Sequence, residues 1–310
     1  MPQYVQVFSE QTIQSMKQYY ASHITNTPQG AVFQAKTANA VITAYRSGKV
    51  LFQGASPEVE ADKWLLNKDE RTPKIENLKK KTHSYAPKEA LFHAAHIGSD
   101  EAGTGDYFGP ITVACTYVQP KDIPELKKMG VKDSKHLTDN IIVEIAKELA
   151  IRKIPYSLLV MRNEKYNRLQ KQGWSQGKMK AMLHHHAIQS LLKKIGNAPL
   201  DGILIDQFCE PNVYFNHLRT ENEFVNNQTY FMTKAESYSI AVAAGSIIAR
   251  ASFVREMDLL SEKLGIPLPK GASDKVDRTI ATIIKNKSAD TLHTCAKVHF
   301  ANTKKATKYL

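Results

Sequence analysis

The sequence predicts an α/β layered domain preceded by a smaller α+β unit. Three observations carry this. Strand-like apolar runs alternate with helix-like ones beyond residue 90, the first 66 residues pattern as a compact strand and helix unit, and a polar stretch divides the two. In order, residues 4–8 alternate as a strand, and residues 11–23 carry Ile13, Met16, Lys17 and Tyr20 at helical spacing. Residues 31–36, 40–46 and 49–53 read as antiparallel strands, the last two joined by a tight Ser47-Gly48 turn. Ser56, Pro57 and Glu58 supply an N-cap, a first-turn proline and a first-turn acid for a helix over 59–66. Residues 67–90, with Pro73, Pro87 and Lys79-Lys80-Lys81, lose apolar periodicity as an exposed linker does. The domains are therefore placed at 1–66 and 91–310. In the second, strands are expected at 91–97, 111–118, 156–161 and 203–205, and helices at 140–151, 178–194 and 236–257. Its first two strands follow one another without a helix, so they form a hairpin.

With 310 residues, 42% hydrophobic and 23% charged, the chain has an ordinary folded composition, which excludes a disordered, collagenous or disulfide-scaffold protein. A net charge of +12 favours a polyanionic partner, nucleic acid or a lipid surface. The excess is spread over both parts, +4 before Pro87 and +8 after it, so neither is a simple basic tail. Cys115, Cys209 and Cys295 have no zinc or redox spacing, and the start carries no basic and apolar leader. A reducing cytoplasm and no membrane attachment are expected.

Acidic residues concentrate at points where an α/β sheet ends. Asp100 and Glu101 close an apolar strand inside Gly98-Ser99-Asp100-Glu101-Ala102-Gly103-Thr104-Gly105-Asp106-Tyr107-Phe108-Gly109-Pro110. Neighbouring strand residues point to opposite faces, so the pair serves one site only if the backbone bends after Asp100, which Gly103, Gly105 and Gly109 would permit. The glycine spacing is GxGxxxG and a strand follows, which argues against a nucleotide-binding loop and leaves a plain acidic hairpin turn as the alternative. Asp206 ends the run Ile203-Leu204-Ile205, where open sheets place ligands or where an Asp simply opens a loop. Glu236 stands three residues after Thr233, the spacing of a capping box, and also heads a stripe through Ile240, Ala243, Ile247, Ala251 and Val254. Cap and ligand both remain open there. Clustered carboxylates repel one another unless hard divalent cations lie between them, and all-oxygen ligation suits Mg²⁺ or Mn²⁺. Two such ions can activate water and stabilise the leaving oxygen of a phosphodiester. The triplet His184-His185-His186 is set aside as a metal site, because helix neighbours about 100° apart cannot all face one ion.

Taken together, Gly98 to Pro110, Lys132-Asp133-Ser134-Lys135-His136-Leu137, Ile205-Asp206, and Lys234-Ala235-Glu236 with residues 240–250 resemble the motifs of the type 2 ribonucleases H. Gly103-Thr104-Gly105 and the glutamate at 236 resemble the bacterial ribonuclease HIII branch. Residues 33–54, especially 42–54, are similar to the TBP-like domain that precedes the catalytic domain in that branch.

The resemblance implies a ribonuclease H-like mixed sheet with flanking helices, cutting the RNA strand of RNA/DNA hybrids to leave 3′-hydroxyl and 5′-phosphate ends. It maps the catalytic, metal-holding acids onto Asp100, Glu101, Asp206 and Glu236, with two Mg²⁺ or Mn²⁺ ions in the active complex. It places Gly103, Thr104 and Gly105 at ribose 2′-hydroxyls and Lys135 near the scissile phosphate. The N-terminal unit would be a substrate clamp offering Lys36, Tyr45, Arg46, Lys49, Phe52 and Gln53, although Tyr45 and Phe52 could equally be core. A monomer with no obligate protein partner is implied. The tyrosine with which the HII branch reads an RNA-to-DNA junction has no recognised counterpart, so continuous hybrid is expected over a single embedded ribonucleotide. A non-catalytic nucleic-acid binder would lack one of the acids.

Overall fold

The computed structural model describes residues 3–28, 30–54, 56–65, 83–132 and 137–310. The chain divides into two compact units, Met1–Lys81 and Thr82–Leu310.

In the first unit, strands β1 (Gln3–Val7), β2 (Ala31–Lys36), β3 (Ala40–Tyr45) and β4 (Lys49–Gly54) form an antiparallel sheet in the order β1-β4-β3-β2. Helices α1 (Glu10–Tyr19) and α2 (Pro57–Leu65) accompany it. Ser9 caps α1 by accepting the Thr12 N–H, and Gly48, at φ +83°, makes the β3–β4 turn that the sequence predicts. The period of two sorts the side chains. Phe33, Ala35, Ile42, Ala44, Val50 and Phe52 are buried with Ile13, Met16 and Tyr20 of the α1 region. Phe52 is therefore core. Tyr45 alternates to the other sheet face, where Val5 and Val7 are 53% and 54% exposed and Lys49 also lies open. Glu60 is buried yet well satisfied, accepting from Tyr20, Thr37, Asn39 and Lys63, and these partners outweigh its burial to hold its carboxyl down at about 2.

The second unit is built on a mixed five-stranded sheet, β7-β6-β5-β8-β9. Its strands are β5 (His96–Ala102), β6 (Ile111–Val118), β7 (Tyr156–Met161), β8 (Gly202–Asp206) and β9 (Thr229–Met232). Strands β5, β6 and β7 pair antiparallel, so the first two form the expected hairpin, whereas β8 and β9 add in parallel beside β5. Helices α4 (Asp139–Ile151) and α8 (Ile240–Leu264) cover one face, with Ala114, Ile142, Leu149, Ala243 and Ile247 in the core between them. Helices α6 (Gln176–Ile195) and α7 (Pro211–Arg219) cover the other through Ile97, Val113, Met179, Ala187, Tyr214 and Leu218. Helices α3 (Ile123–Lys128) and α5 (Asn163–Lys171) join these layers, and α9 (Asp274–Asn286), α10 (Leu292–Cys295) and α11 (Ala301–Lys305) pack near the end of α8 around Tyr107, Phe108, Phe253 and Met257. Among the described residues no helix is long and apolar enough to cross a membrane, and the three cysteines are free.

Three expectations need correction. The strand expected at 91–97 begins only at His96. Residues Glu89–His93 form a 3₁₀ turn, and Ala95 is tied to Asp201 by hydrogen bonds at its N–H and its carbonyl. Residues 83–90, read as linker, fold with the second unit, where the Tyr85 carbonyl accepts the Phe231 N–H at 2.9 Å. The long helix starts at Ile240 and not near Glu236. Lys234 sits at φ +58°, residues Ala235–Ser237 form a separate 3₁₀ turn, and Ser239 is the N-cap, accepting the Val242 N–H. A helix apolar on all sides gives no phase signal at its start, which is why the stripe ran four residues too far back.

Helix α8 lies against β5 with almost nothing between them. A Cβ on Gly98 would overlap the backbone of Ala241 and Val242, and one on Gly245 would stand 3.0 Å from the Ala114 carbonyl oxygen. Thr112 and Thr116 on β6 donate their hydroxyls to the α8 carbonyls of Ala249 and Ala241, at 2.8 and 2.7 Å.

Candidate active site

The acids of the sequence reading come from three segments that meet at one end of the sheet. Asp100 and Glu101 are the two residues before the last of β5, Asp206 ends the adjacent parallel strand β8, and Glu236 lies in the 3₁₀ turn before α8. Asp206 draws that turn in, because its Oδ1 accepts the Ala235 N–H at 2.9 Å. Asp100 and Glu236 are buried.

No bend separates Asp100 from Glu101. The strand continues to Ala102, so the two side chains leave opposite faces. Asp100 lies on the α8 side, hydrogen-bonded to Ser246 and, through Oδ1, to the Glu101 N–H. Glu101 lies on the α6 side, its Oε1 accepting from Lys180 Nζ at 2.8 Å and its Oε2 meeting His184 Nε2 at 2.9 Å. Burial, then the charges of Glu101 and Asp206, push the Asp100 carboxyl well above the usual carboxylate range. Burial also pushes Glu101 upward, but His184 and Lys180 outweigh it and hold this carboxyl below its ordinary value. Mutual repulsion that raises Asp100 is the condition a cation relieves, and the donor set is entirely hard oxygen, so the residues fit Mg²⁺ or Mn²⁺. Among the described residues, no three of these acids bring carboxylate oxygens within 4.8 Å of one another.

The glycine turn follows the strand. Gly103 and Gly109 take φ +85° and +80°, where a side chain would strain the backbone; Gly105 has an ordinary φ and open space beside its Cα. The turn leads back into β6, which disposes of the nucleotide-loop alternative. Gln176 Nε2 donates to the Thr104 carbonyl at 3.1 Å. The fully buried Lys297 donates its amine to the carbonyls of Asp106 and Gly109, at 2.8 and 2.6 Å, and burial pushes that amine down to about 7. Asn163 Nδ2 reaches the same Gly109 carbonyl at 2.9 Å.

Lys135 falls in 133–136, outside the described residues. Tyr45, Arg46 and Lys49 sit at the β3–β4 hairpin of the first unit, with Arg46 and Lys49 exposed and Tyr45 half-buried. Sequence reasoning missed His184, Lys180, Ser246 and Lys297. Of these only the histidine stood in a noticed feature, the triplet, and its parts diverge as helix geometry requires: His184 turns in to Glu101, while His185 Nε2 meets Glu223 Oε2 at 3.0 Å. His185, His186 and Glu223 bring ligand atoms within 4.8 Å of one another, so two of the three do converge.

Comparison with known proteins places this arrangement. A sequence model described as Ribonuclease HII matches residues 97–303, and one described only as a domain of unknown function matches residues 3–87. The chain is similar to Ribonuclease HIII of Oceanobacillus iheyensis, 58% identical over 310 residues and all of both chains. It is 52% identical to Ribonuclease HIII of Bacillus subtilis over 95% of this chain and 93% of that one. The crystal structure of Bst-RNase HIII in complex with Mn²⁺ covers 99% of this chain and 98% of its own at 41% identity and a TM-score of 0.69. With the catalytic fold, the acids at the sheet end and full-length relatives in agreement, the chain belongs to the ribonuclease HIII family.

Proposed function

We propose that this protein is a metal-dependent endonuclease that hydrolyses the RNA strand of RNA/DNA hybrids and leaves 3′-hydroxyl and 5′-phosphate ends. The observation that carries the reading is the convergence of Asp100, Glu101, Asp206 and Glu236 from three segments, with the Asp100 carboxyl pushed up by its neighbours' charges. These four residues would hold two Mg²⁺ or Mn²⁺ ions, which when bound would supply an activated water and neutralise charge on the leaving oxygen. The chain's own contribution is geometric. Gly103, Thr104 and Gly105 bring backbone groups to ribose 2′-hydroxyls, the feature that marks one strand as RNA. The Lys135 ammonium positions the scissile phosphate. The protein acts as a monomer in the cytoplasm, without an obligate protein partner.

The test is cleavage of an end-labelled RNA/DNA hybrid with Mg²⁺ or Mn²⁺, beside EDTA, an Asp206→Asn variant and a duplex with one embedded ribonucleotide. Cuts at several hybrid positions, abolished by both controls and scarce at the single ribonucleotide, are expected. Strong cutting at the single ribonucleotide would transfer the specificity to the HII type, and no metal-dependent cutting would leave only a binding role.

The first unit supplies hybrid affinity through its open sheet face and the hairpin bearing Tyr45, Arg46 and Lys49. Replacing exposed Arg46 and Lys49 with alanine is expected to weaken hybrid binding about 10-fold at low salt and to flatten the salt dependence by about one unit of slope per lost phosphate contact. The rate at saturating hybrid should stay within about 3-fold, since these residues make no contribution to phosphate activation. Affinity and salt slope equal to wild type would remove this hairpin from the clamp.

A further inference from the structure

One buried side chain of the second unit ties a proposed metal-holding acid to the helix packed beneath it. His184 on α6 is fully buried, and both ring nitrogens are engaged. Its Nε2 lies 2.9 Å from Glu101 Oε2 and its Nδ1 lies 2.7 Å from Ser99 Oγ. Ser99 and Glu101 are two apart on β5 and so share the face that meets α6. The ring also stacks on Phe208, with centroids 5.3 Å apart at 26°, which removes its freedom to rotate.

The carboxylate settles which way the proton runs. An ionised Glu101 can only accept, so the proton in this contact sits on Nε2 and Oε2 receives it. Ser99 Oγ meets Nδ1 on the other side of the ring and has the Ala114 carbonyl at 3.4 Å as a second partner. Lys180, one helical turn earlier on α6, donates to the other oxygen at 2.8 Å while its ammonium stands 4.0 Å from the centre of the Phe208 ring. Each carboxylate oxygen has two lone pairs, so each keeps one for a cation.

Resting on the proposed metal-dependent reading of this site, we infer that His184, locked by Ser99 and Phe208, is the positioning residue that aims the Glu101 carboxylate at its metal ion, with Lys180 fixing the second oxygen. Outer partners of this kind orient a ligating carboxylate, and removing one typically costs 10–100-fold in metal affinity or activity. His184 touches neither substrate nor ion. It acts through Glu101.

The experiment compares wild type with His184→Leu, which keeps a buried side chain but no donor, and His184→Gln, whose amide can place an N–H near the position of Nε2. Mn²⁺ binding is measured by calorimetry without nucleic acid, cleavage kinetics on a hybrid, and melting in EDTA as a check of folding. The expected result is about a 10–100-fold weaker Mn²⁺ affinity or lower kcat in His184→Leu, with KM for hybrid unchanged and substantial recovery in His184→Gln. A His184→Leu variant with wild-type Mn²⁺ affinity and kcat would overturn the inference, and so would equal losses in both variants that follow their melting temperatures. Wild-type protein that binds Mn²⁺ but fails to cut hybrid would instead refute the functional reading, while the affinity series would still decide the role of His184.

Discussion

Asp100→Asn is expected to lower hybrid cleavage by about 10³-fold or more and, in EDTA, to raise the melting temperature. The first effect follows from the proposed role of Asp100 as a charged oxygen ligand of a metal ion, whose removal costs at least as much as deleting one donor aimed at a transition state. The second follows from its environment. Asp100 is buried, and Glu101 and Asp206 repel its ionised form, so the carboxylate is a destabilising group in the metal-free protein. Asparagine keeps the shape and retains an oxygen that can accept from Ser246 and the Glu101 N–H, but carries no charge. Each ~1 kcal/mol of relieved repulsion raises the midpoint by about 2–4 °C in a unit of this size. Metal reverses the order. At a concentration 100-fold above its Kd a cation stabilises the wild type by about 2.7 kcal/mol, and the variant should gain much less. Melting curves with EDTA and with Mn²⁺, run beside the cleavage assay, check all three statements. A variant that melts lower than wild type in EDTA, or responds equally to Mn²⁺, would place the Asp100 charge in a structural role.

Gly98→Ala is expected to destabilise the second unit by more than about 4 kcal/mol, which lowers its melting temperature by roughly 10 °C or more. The reason is the atoms a methyl group would meet. All belong to the backbone of Ala241 and Val242, the nearest α8 Cα standing 2.6 Å away, so no side chain can swing aside. Relief requires α8 to move off β5. That motion would also carry Ser246 away from Asp100 and disturb the threonine bonds from β6 to the helix. Hybrid cleavage should fall with stability even at temperatures where the variant is folded. Thermal unfolding within about 2 °C of wild type would show that the helix and strand are less tightly coupled than their backbone distance implies.

Much of this architecture was legible in the chain. Alternation in residues 31–54 gave three strands of the first unit almost to the residue, because one sheet face is buried and a shift of one would invert every side chain. The acids were legible because charge at the end of an apolar strand is rare enough to stand out. What stayed hidden depended on tertiary context. The 3₁₀ turn at Glu89–His93 runs through Ala90, Leu91 and Phe92 towards the strand without a glycine or proline break, and Asp201, more than a hundred residues later, holds Ala95 just before the strand begins. The partners of Glu101 were out of reach for a related reason: Lys180 and His184 look like ordinary members of a helix until α6 is laid against β5. The expected bend after Asp100 was a local solution to a problem that the structure handles by using both faces of the strand.

The amine of Lys297 closes the glycine turn from 188 positions further along the chain. At synthesis rates of about 5–20 residues per second, roughly 10–40 s pass between the making of Gly109 and the arrival of the lysine that ties it down. All four acids are made before the lysine, Asp100 and Glu101 just ahead of that interval and Asp206 and Glu236 within it. A nascent chain thus carries Asp100, Glu101, Asp206 and Glu236 before the neighbouring turn is secured, so the order of translation makes the closing of that turn a late event relative to the synthesis of the acids.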